Sequence, residues 1–85
     1  MNEIEWLRNN GRIEERAGRK LFVLDSPLKR KLDADEKRLK QYAVRWLQKA
    51  GAMYDFDDEQ WMLLPRWNPT AFQVLAEAAG EGKDA

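Results

Sequence analysis

Residues 33–51, DADEKRLKQYAVRWLQKAG, constrain the fold more than any other stretch, because no other run in the chain is as long and as regularly amphipathic. Leu39, Tyr42, Ala43, Trp46, Leu47 and Ala50 recur at i, i+3, i+4, i+7, i+8 and i+11, which at about 100° per residue lines them along one side of a helix. A stripe of that length must be buried, so the rest of the chain has to fold around it. Both ends carry local signals. Asp33 is placed to cap the first turn, and Glu36, three residues on, is placed to reach back to the Asp33 amide in a capping box. Gly51 supplies a left-handed C′ residue, and Lys49 suits the negative end of the helix dipole.

The flanking segments read as shorter elements. Asn2 and Glu5 predict a capped short helix with Ile4 and Leu7 on its apolar edge, ended by Gly11. Residues 12–24 predict a tight hairpin centred on Ala17 and Gly18, with Glu15 opposite Lys20 and Ile13 opposite Phe22. Ser26 and Pro27 then read as N-cap and first residue of a brief helical turn over 27–32. Beyond Gly51, residues 52–64 predict a second hairpin turning near Asp57 and Asp58. Asn68 and Pro69 open a last helix, with Trp67 stapling onto Phe72. Phe72, Leu75, Ala76 and Ala79 form its buried stripe, Gly80 ends it, and residues 81–85 read as a flexible tail. The expected fold is α+β, one small domain over 1–80 in the order α-β-β-(short α)-α-β-β-α, with two hairpins packed on the central helix.

Residues 6–24 align without gaps on residues 46–64 at an offset of 40, with Trp, Leu, Gly and the final Leu identical. Ile13 falls on Met53, and Leu21, Phe22 and Val23 fall on Trp61, Met62 and Leu63. Either a duplication or two joints of like chemistry accounts for this pattern.

Composition narrows the chemistry. With 85 residues there is material for a single core, and with no cysteine and no histidine there is no thiolate chemistry and no His or Cys metal site. Ser26 and Thr70 are the only hydroxyl nucleophiles of their types, and Ser26 before a proline is explained by capping. The carboxylates of Asp55, Asp57, Asp58 and Glu59 lack the glycine and closing glutamate of a calcium loop, and the glycines are too dispersed for a phosphate loop. No enzymatic activity, cofactor, metal or small-molecule substrate is expected. No apolar run spans a bilayer and the N-terminus lacks a signal-peptide layout, so the expected location is cytoplasmic, with no membrane partner.

What remains is binding surface, and charge divides it. Residues 1–50 hold 13 Lys and Arg against 8 Asp and Glu, while residues 51–85 hold 2 against 7, so a formal net charge of zero conceals halves of +5 and −5. On the polar side of the central helix Arg38, Arg45 and Lys49 fall within about 40° of one another, beside Gln41 and Gln48. Lys29, Arg30 and Lys31 add a basic knot upstream. Arg and Gln make bidentate contacts with base edges, and Lys and Arg neutralise phosphates. A short helix, a basic helix and a hairpin are also the order of the last two helices and wing of a winged helix-turn-helix. The chain departs from that pattern in its short first helix, its intervening hairpin and its acidic wing.

Two functional readings follow. The first is a small non-enzymatic regulator that binds nucleic acid through Lys29, Arg30, Lys31, Arg38, Gln41, Arg45, Gln48 and Lys49. The second is a protein-binding adaptor or inhibitor that uses Tyr54, Asp55, Asp57, Asp58, Glu59 and Trp61 in the second hairpin and mimics nucleic-acid charge toward a basic partner. A solvated helix face accounts for the basic stripe equally well. Homo-oligomers are compatible with either reading. Trp6, Trp46, Trp61 and Trp67 suit the core, and an exposed Trp61 or Trp67 beside Met53 and Met62 would suit an interface.

Overall fold

Each element begins where its cap dictates, in a computed structural model that describes residues 2–78. The Asn2 side chain accepts the Glu5 amide at 2.8 Å, while the Glu5 carboxylate accepts the Asn2 amide at 3.1 Å, starting α1 (Glu3–Asn10). Ala17 and Gly18, at φ +52° and +77°, join β1 (Arg12–Arg16) to β2 (Arg19–Asp25). Two successive left-handed residues make a type I′ turn, whose twist matches that of the strands. The register is the expected one, Ile13 opposite Phe22 and Glu15 opposite Lys20. In α2 (Ala34–Ala50) the Asp33 carboxylate accepts the Glu36 amide at 2.8 Å. At the other end Gly51 is left-handed at φ +98°, so that its amide reaches the Gln48 carbonyl and the Ala52 amide reaches that of Leu47. Two carbonyls that the helix would otherwise orphan are thereby satisfied.

β3 (Met53–Asp55) and β4 (Gln60–Leu63) form the second hairpin, and α3 (Pro69–Ala78) follows. Asn68 caps α3 by accepting the Ala71 amide at 3.1 Å, and its amide donates to the Ala50 carbonyl at 3.1 Å, pinning the start of α3 to the end of α2. Trp67 and Phe72 are both half-buried against the core. Ala79, Gly80 and the tail 81–85 lie outside the described residues.

The hairpins merge into one antiparallel sheet of order β1-β2-β4-β3, because β2 pairs with β4, Phe22 opposite Leu63 and Leu24 opposite Trp61. Side chains alternate along a strand, so Ile13, Phe22, Leu24, Trp61 and Leu63 share one face. Onto it all three helices pack, bringing Trp6 and Leu7 from α1, Ala43 and Leu47 from α2, and Ala71 and Leu75 from α3. The result is a small α+β fold, three helices on one side of a four-stranded sheet, with α1 against both α2 and α3. No helix among the described residues is long and apolar enough to cross a membrane.

Several local expectations give way to tertiary contacts. Gly11 is not left-handed, its φ being −97°. It is a glycine because a Cβ there would stand 2.2 Å from Cζ of Phe22, whose ring lies against it. Residues 26–33 form bends and an extended entry to α2 instead of a helical turn. The Ser26 carbonyl, which would accept the first bond of such a turn, takes Nζ of Lys40 at 2.7 Å, and the Ser26 amide donates to the Glu59 carbonyl at 2.9 Å. Without that turn, the likeness to a winged helix stops at the order of one helix and the hairpin after it. The Glu36 carboxylate does not return to the Asp33 amide, since it is held by Trp6 and Arg30. Tyr42, at the margin of the apolar stripe, is 47% exposed.

The internal similarity breaks at the joints. α1 enters β1 through Gly11 alone, whereas α2 enters β3 through Gly51 and Ala52. Gly51 is left-handed where Gly11 is extended, so the chain leaves the second joint turned over and the opposite side chains face the core. Ile13 and Phe22 point at the helices, while their aligned counterparts Met53 and Met62 pair with each other on the opposite face. The gapless alignment therefore matches hairpin residues that are not structurally equivalent.

Candidate functional site

Cations of the first half fall into two groups, those engaged by the fold and those left to solvent. The engaged group begins on the sheet face that no helix covers. Arg12 Nε donates to Glu14 at 2.6 Å and its Nη1 to Asp25 at 3.0 Å, Gln60 Nε2 donates to Asp25 at 3.1 Å, and Arg16 donates to Gln60 at 2.6 Å and to Glu14 at 3.0 Å. These five side chains form a closed circuit. Beneath it Leu21 and Val23 are buried although they face away from the helices. Arg12 and Met62 flank Val23 in register, and Glu14 flanks Leu21, so the aliphatic stems of this layer do the covering. The Arg12 hydrogen bond holds the Asp25 carboxyl below its ordinary range. For Glu14, burial acts upward, but the bonds from Arg16 and Arg12 outweigh it and the carboxyl is also lowered.

A further engaged cation lies at the α1–α2 seam. Arg30 forks onto both oxygens of Glu36 and donates to Oδ1 of Asn10 at 2.7 Å, while Trp6 Nε1 donates to Glu36 at 2.9 Å. The Arg30 bonds, then the indole bond, bring the Glu36 carboxyl down to about 2. Arg30 is thus part of the framework and not a free member of the basic knot. Its neighbours Lys29 and Lys31 are exposed, and Lys29 lines a hollow with Asp25, Asp58 and Glu59.

The unengaged group is on α2. Arg38, Gln41, Arg45, Gln48 and Lys49 are all exposed, and none of their side chains bonds to another described residue. Lys37 is exposed beside them, and residues 37–50 contain no carboxylate. On one flank of this face lies an open groove of about 530 Å³ with Leu32 and Val44 as its apolar lining and Lys37, Lys40, Gln41 and Arg45 around them. On the other flank a hollow of about 500 Å³ mixes Arg38 and Tyr42 with Asp33, Asp35 and Glu36.

The second hairpin presents a different surface. Asp55 Oδ1 accepts the amides of Asp57 at 2.9 Å and Asp58 at 3.2 Å, which turns the chain, and Glu59 completes the turn at φ +55°. Phe56 stands at the tip, 82% exposed. Its ring meets Tyr54 edge-on at 4.8 Å, and Tyr54 meets Trp61 edge-on at 5.2 Å. Asp57, Asp58 and Glu59 are exposed around this ladder, while Tyr54, Asp55 and Trp61 are half-buried. Among the described residues no group of three or more carboxylates is placed to hold a metal ion.

The two candidate sets thus centre on different elements, α2 and the second hairpin, and meet where Lys29 lines a hollow with Asp58 and Glu59. Phe56 belongs at the centre of the second set, and its signal in the sequence is an aromatic placed inside an acidic turn. No tryptophan is fully exposed: Trp6 is buried, and Trp46, Trp61 and Trp67 are half-buried. Met53 and Met62 face away from Trp61. The chain matches no protein-family model, no curated protein and no solved structure.

Proposed function

We propose that the protein is a non-enzymatic regulatory module that binds nucleic acid by laying the exposed face of α2 against a duplex. The observation that carries this reading is the partition of the cations. Arg12, Arg16 and Arg30 are engaged within the fold, whereas Arg38, Arg45 and Lys49 are exposed without a partner on a helix segment that holds no carboxylate. A helix about 10–12 Å across fits a major groove about 12 Å wide.

Arg38 with Gln41, and Arg45 with Gln48, repeat one pair seven residues apart. The second pair is displaced by about 10.5 Å along the axis and about 20° around it, close to three base-pair steps at about 3.4 Å each. In that pose arginine serves guanine O6 and N7, glutamine serves adenine N6 and N7, and Lys31, Lys37 and Lys49 neutralise phosphates. The deep, narrow major groove of A-form RNA excludes a helix, which favours duplex DNA.

Fluorescence anisotropy with a labelled mixed-sequence DNA duplex, its single strand and an RNA duplex, at low and near-physiological salt, tests the reading. Duplex DNA should bind best, with an affinity that falls steeply as salt rises. Arg38→Glu/Arg45→Glu should abolish binding with an unchanged circular dichroism spectrum, and Asp57→Lys should leave it intact or strengthen it. No binding at low salt, or full binding by the double variant, would overturn the reading.

A further inference from the structure

The exposed ring of Phe56 requires an explanation of its own. At 82% exposure it is the most open of the exposed large hydrophobics among the described residues, and it stands at the end of an aromatic ladder rather than singly. The ladder to Tyr54 and Trp61 holds it in position, so little freedom is lost when it is covered. Its rim of Asp57, Asp58 and Glu59 calls for a cationic counterpart. The chain itself carries one: the groove beside α2, lined by Leu32 and Val44 and edged by Lys37, Lys40 and Arg45.

Tip and groove are neighbours. The Ser26 amide donates to the Glu59 carbonyl at 2.9 Å and the Ser26 carbonyl accepts Lys40 Nζ at 2.7 Å, so one residue is bonded on one side to the tip and on the other to the groove wall. The exposure of Phe56 shows that the ring does not occupy the groove of its own chain. When a knob and its complementary socket lie side by side, two copies related by a two-fold axis fill both sockets at once and the assembly closes.

We infer that a second copy of this chain docks here, the Phe56 tip of each protomer entering the α2 groove of its partner to form a two-fold dimer. Contacts of the acidic rim with Lys37, Lys40 and Arg45 steer and orient the pair, and the aromatic ring supplies the buried centre, so the dimer covers residues that the proposed duplex contact uses and DNA competes with it.

Sedimentation equilibrium of the whole chain over a concentration series, without nucleic acid, reads this directly and independently of any DNA binding. A monomer–dimer equilibrium that weakens with salt is expected. Phe56→Ala should raise the dissociation constant by about 30-fold, the size of an interface hot spot, without altering the fold, since the side chain is exposed. A charge exchange gives the sharper result. Asp57→Lys/Asp58→Lys has a basic tip and a basic groove, Lys37→Glu/Arg45→Glu has an acidic tip and an acidic groove, and each should be monomeric alone. Mixed, they should form a heterodimer, because both contacts are again complementary. A monomeric mass at every concentration in low salt overturns the proposal, as do a dimer indifferent to Phe56→Ala, a mixture that stays monomeric, and growth beyond the dimer.

Discussion

The indole Nε1 of Trp6 donates to the carboxylate of Glu36 at 2.9 Å, joining α1 to α2 across 30 positions of sequence. Trp6 is fully buried, so this bond serves the one polar atom of the largest core side chain. Arg30 closes on the same carboxylate from outside. One glutamate therefore anchors the seam between the helix that carries the candidate interface and the helix behind it.

Acid should loosen that seam within a definite window. The Glu36 carboxyl has a pKa of about 2 in the folded protein against an ordinary 4.5. Above 4.5 it is ionised in both folded and unfolded chains, and its contribution to stability is complete. As pH falls below 4.5 the unfolded chain takes up the proton first and stability declines, until near 2 the folded form is protonated as well. Urea midpoints measured down this range should fall, and Glu36→Gln should show a lower midpoint at neutral pH with a shallower decline. An unchanged profile in the variant would show that the carboxylate is not linked to folding.

Ala17 is an L-residue with a side chain held at φ +52° in the first hairpin turn. Left-handed backbone costs an alanine roughly 1–2 kcal/mol, and asparagine, with glycine after it, is the preferred pair in this turn. Ala17→Asn should raise stability by about 0.5–1 kcal/mol in chemical denaturation, and Ala17→Val should lower it.

Gly11 and Phe22 should behave as one unit. A methyl group on Gly11 would stand 2.2 Å from Phe22 Cζ and 3.0 Å from the Leu7 carbonyl oxygen. Gly11→Ala should cost about 1–3 kcal/mol by overpacking. In a double-mutant cycle with Phe22→Leu the two losses should not add, because the smaller side chain vacates the space the methyl needs.

Arg45 and Arg30 separate binding from stability. Arg45 is exposed without a partner in its own chain, so Arg45→Ala should weaken DNA binding and reduce the salt slope by about 1 while leaving the urea midpoint of the monomer, at low protein concentration, in place. Arg30 is joined to Glu36 and Asn10, so Arg30→Ala should lower the midpoint and leave the salt slope unchanged. Anisotropy titrations at several salt concentrations, run beside denaturation curves, give both quantities for each variant.

The parts legible in the sequence are those whose causes are local. Asn2 with Glu5, Asp33, Gly51 and Asn68 mark helix ends through partners within three or four residues, and Ala17 with Gly18 sets a register through a two-residue loop. What escaped depends on distant residues. Nothing near Glu36 in sequence announces Trp6, nothing near Gly11 announces the ring of Phe22, and the union of the hairpins rests on β2 meeting β4 across the gap filled by α2. The helical turn expected at 27–32 fails because Lys40 and Glu59 claim the backbone of Ser26. For the candidate interface, helical spacing alone places Arg38, Gln41, Arg45, Gln48 and Lys49 together. Spacing could not say that Arg30 would be engaged, nor that Phe56 would be the most open of the exposed large apolar side chains.

Gly51, left-handed where its counterpart Gly11 is extended, works as a phase shift. A strand alternates faces from residue to residue, so a chain that leaves the joint turned over exchanges inside for outside along the hairpin that follows, with no residue added. Two stretches with kindred sequences consequently show solvent unlike things: a lattice of paired charges over one strand pair, and methionines with an aromatic-tipped acidic turn on the other. Surfaces can in this way diverge through the backbone conformation of one glycine at a joint, with no residue inserted.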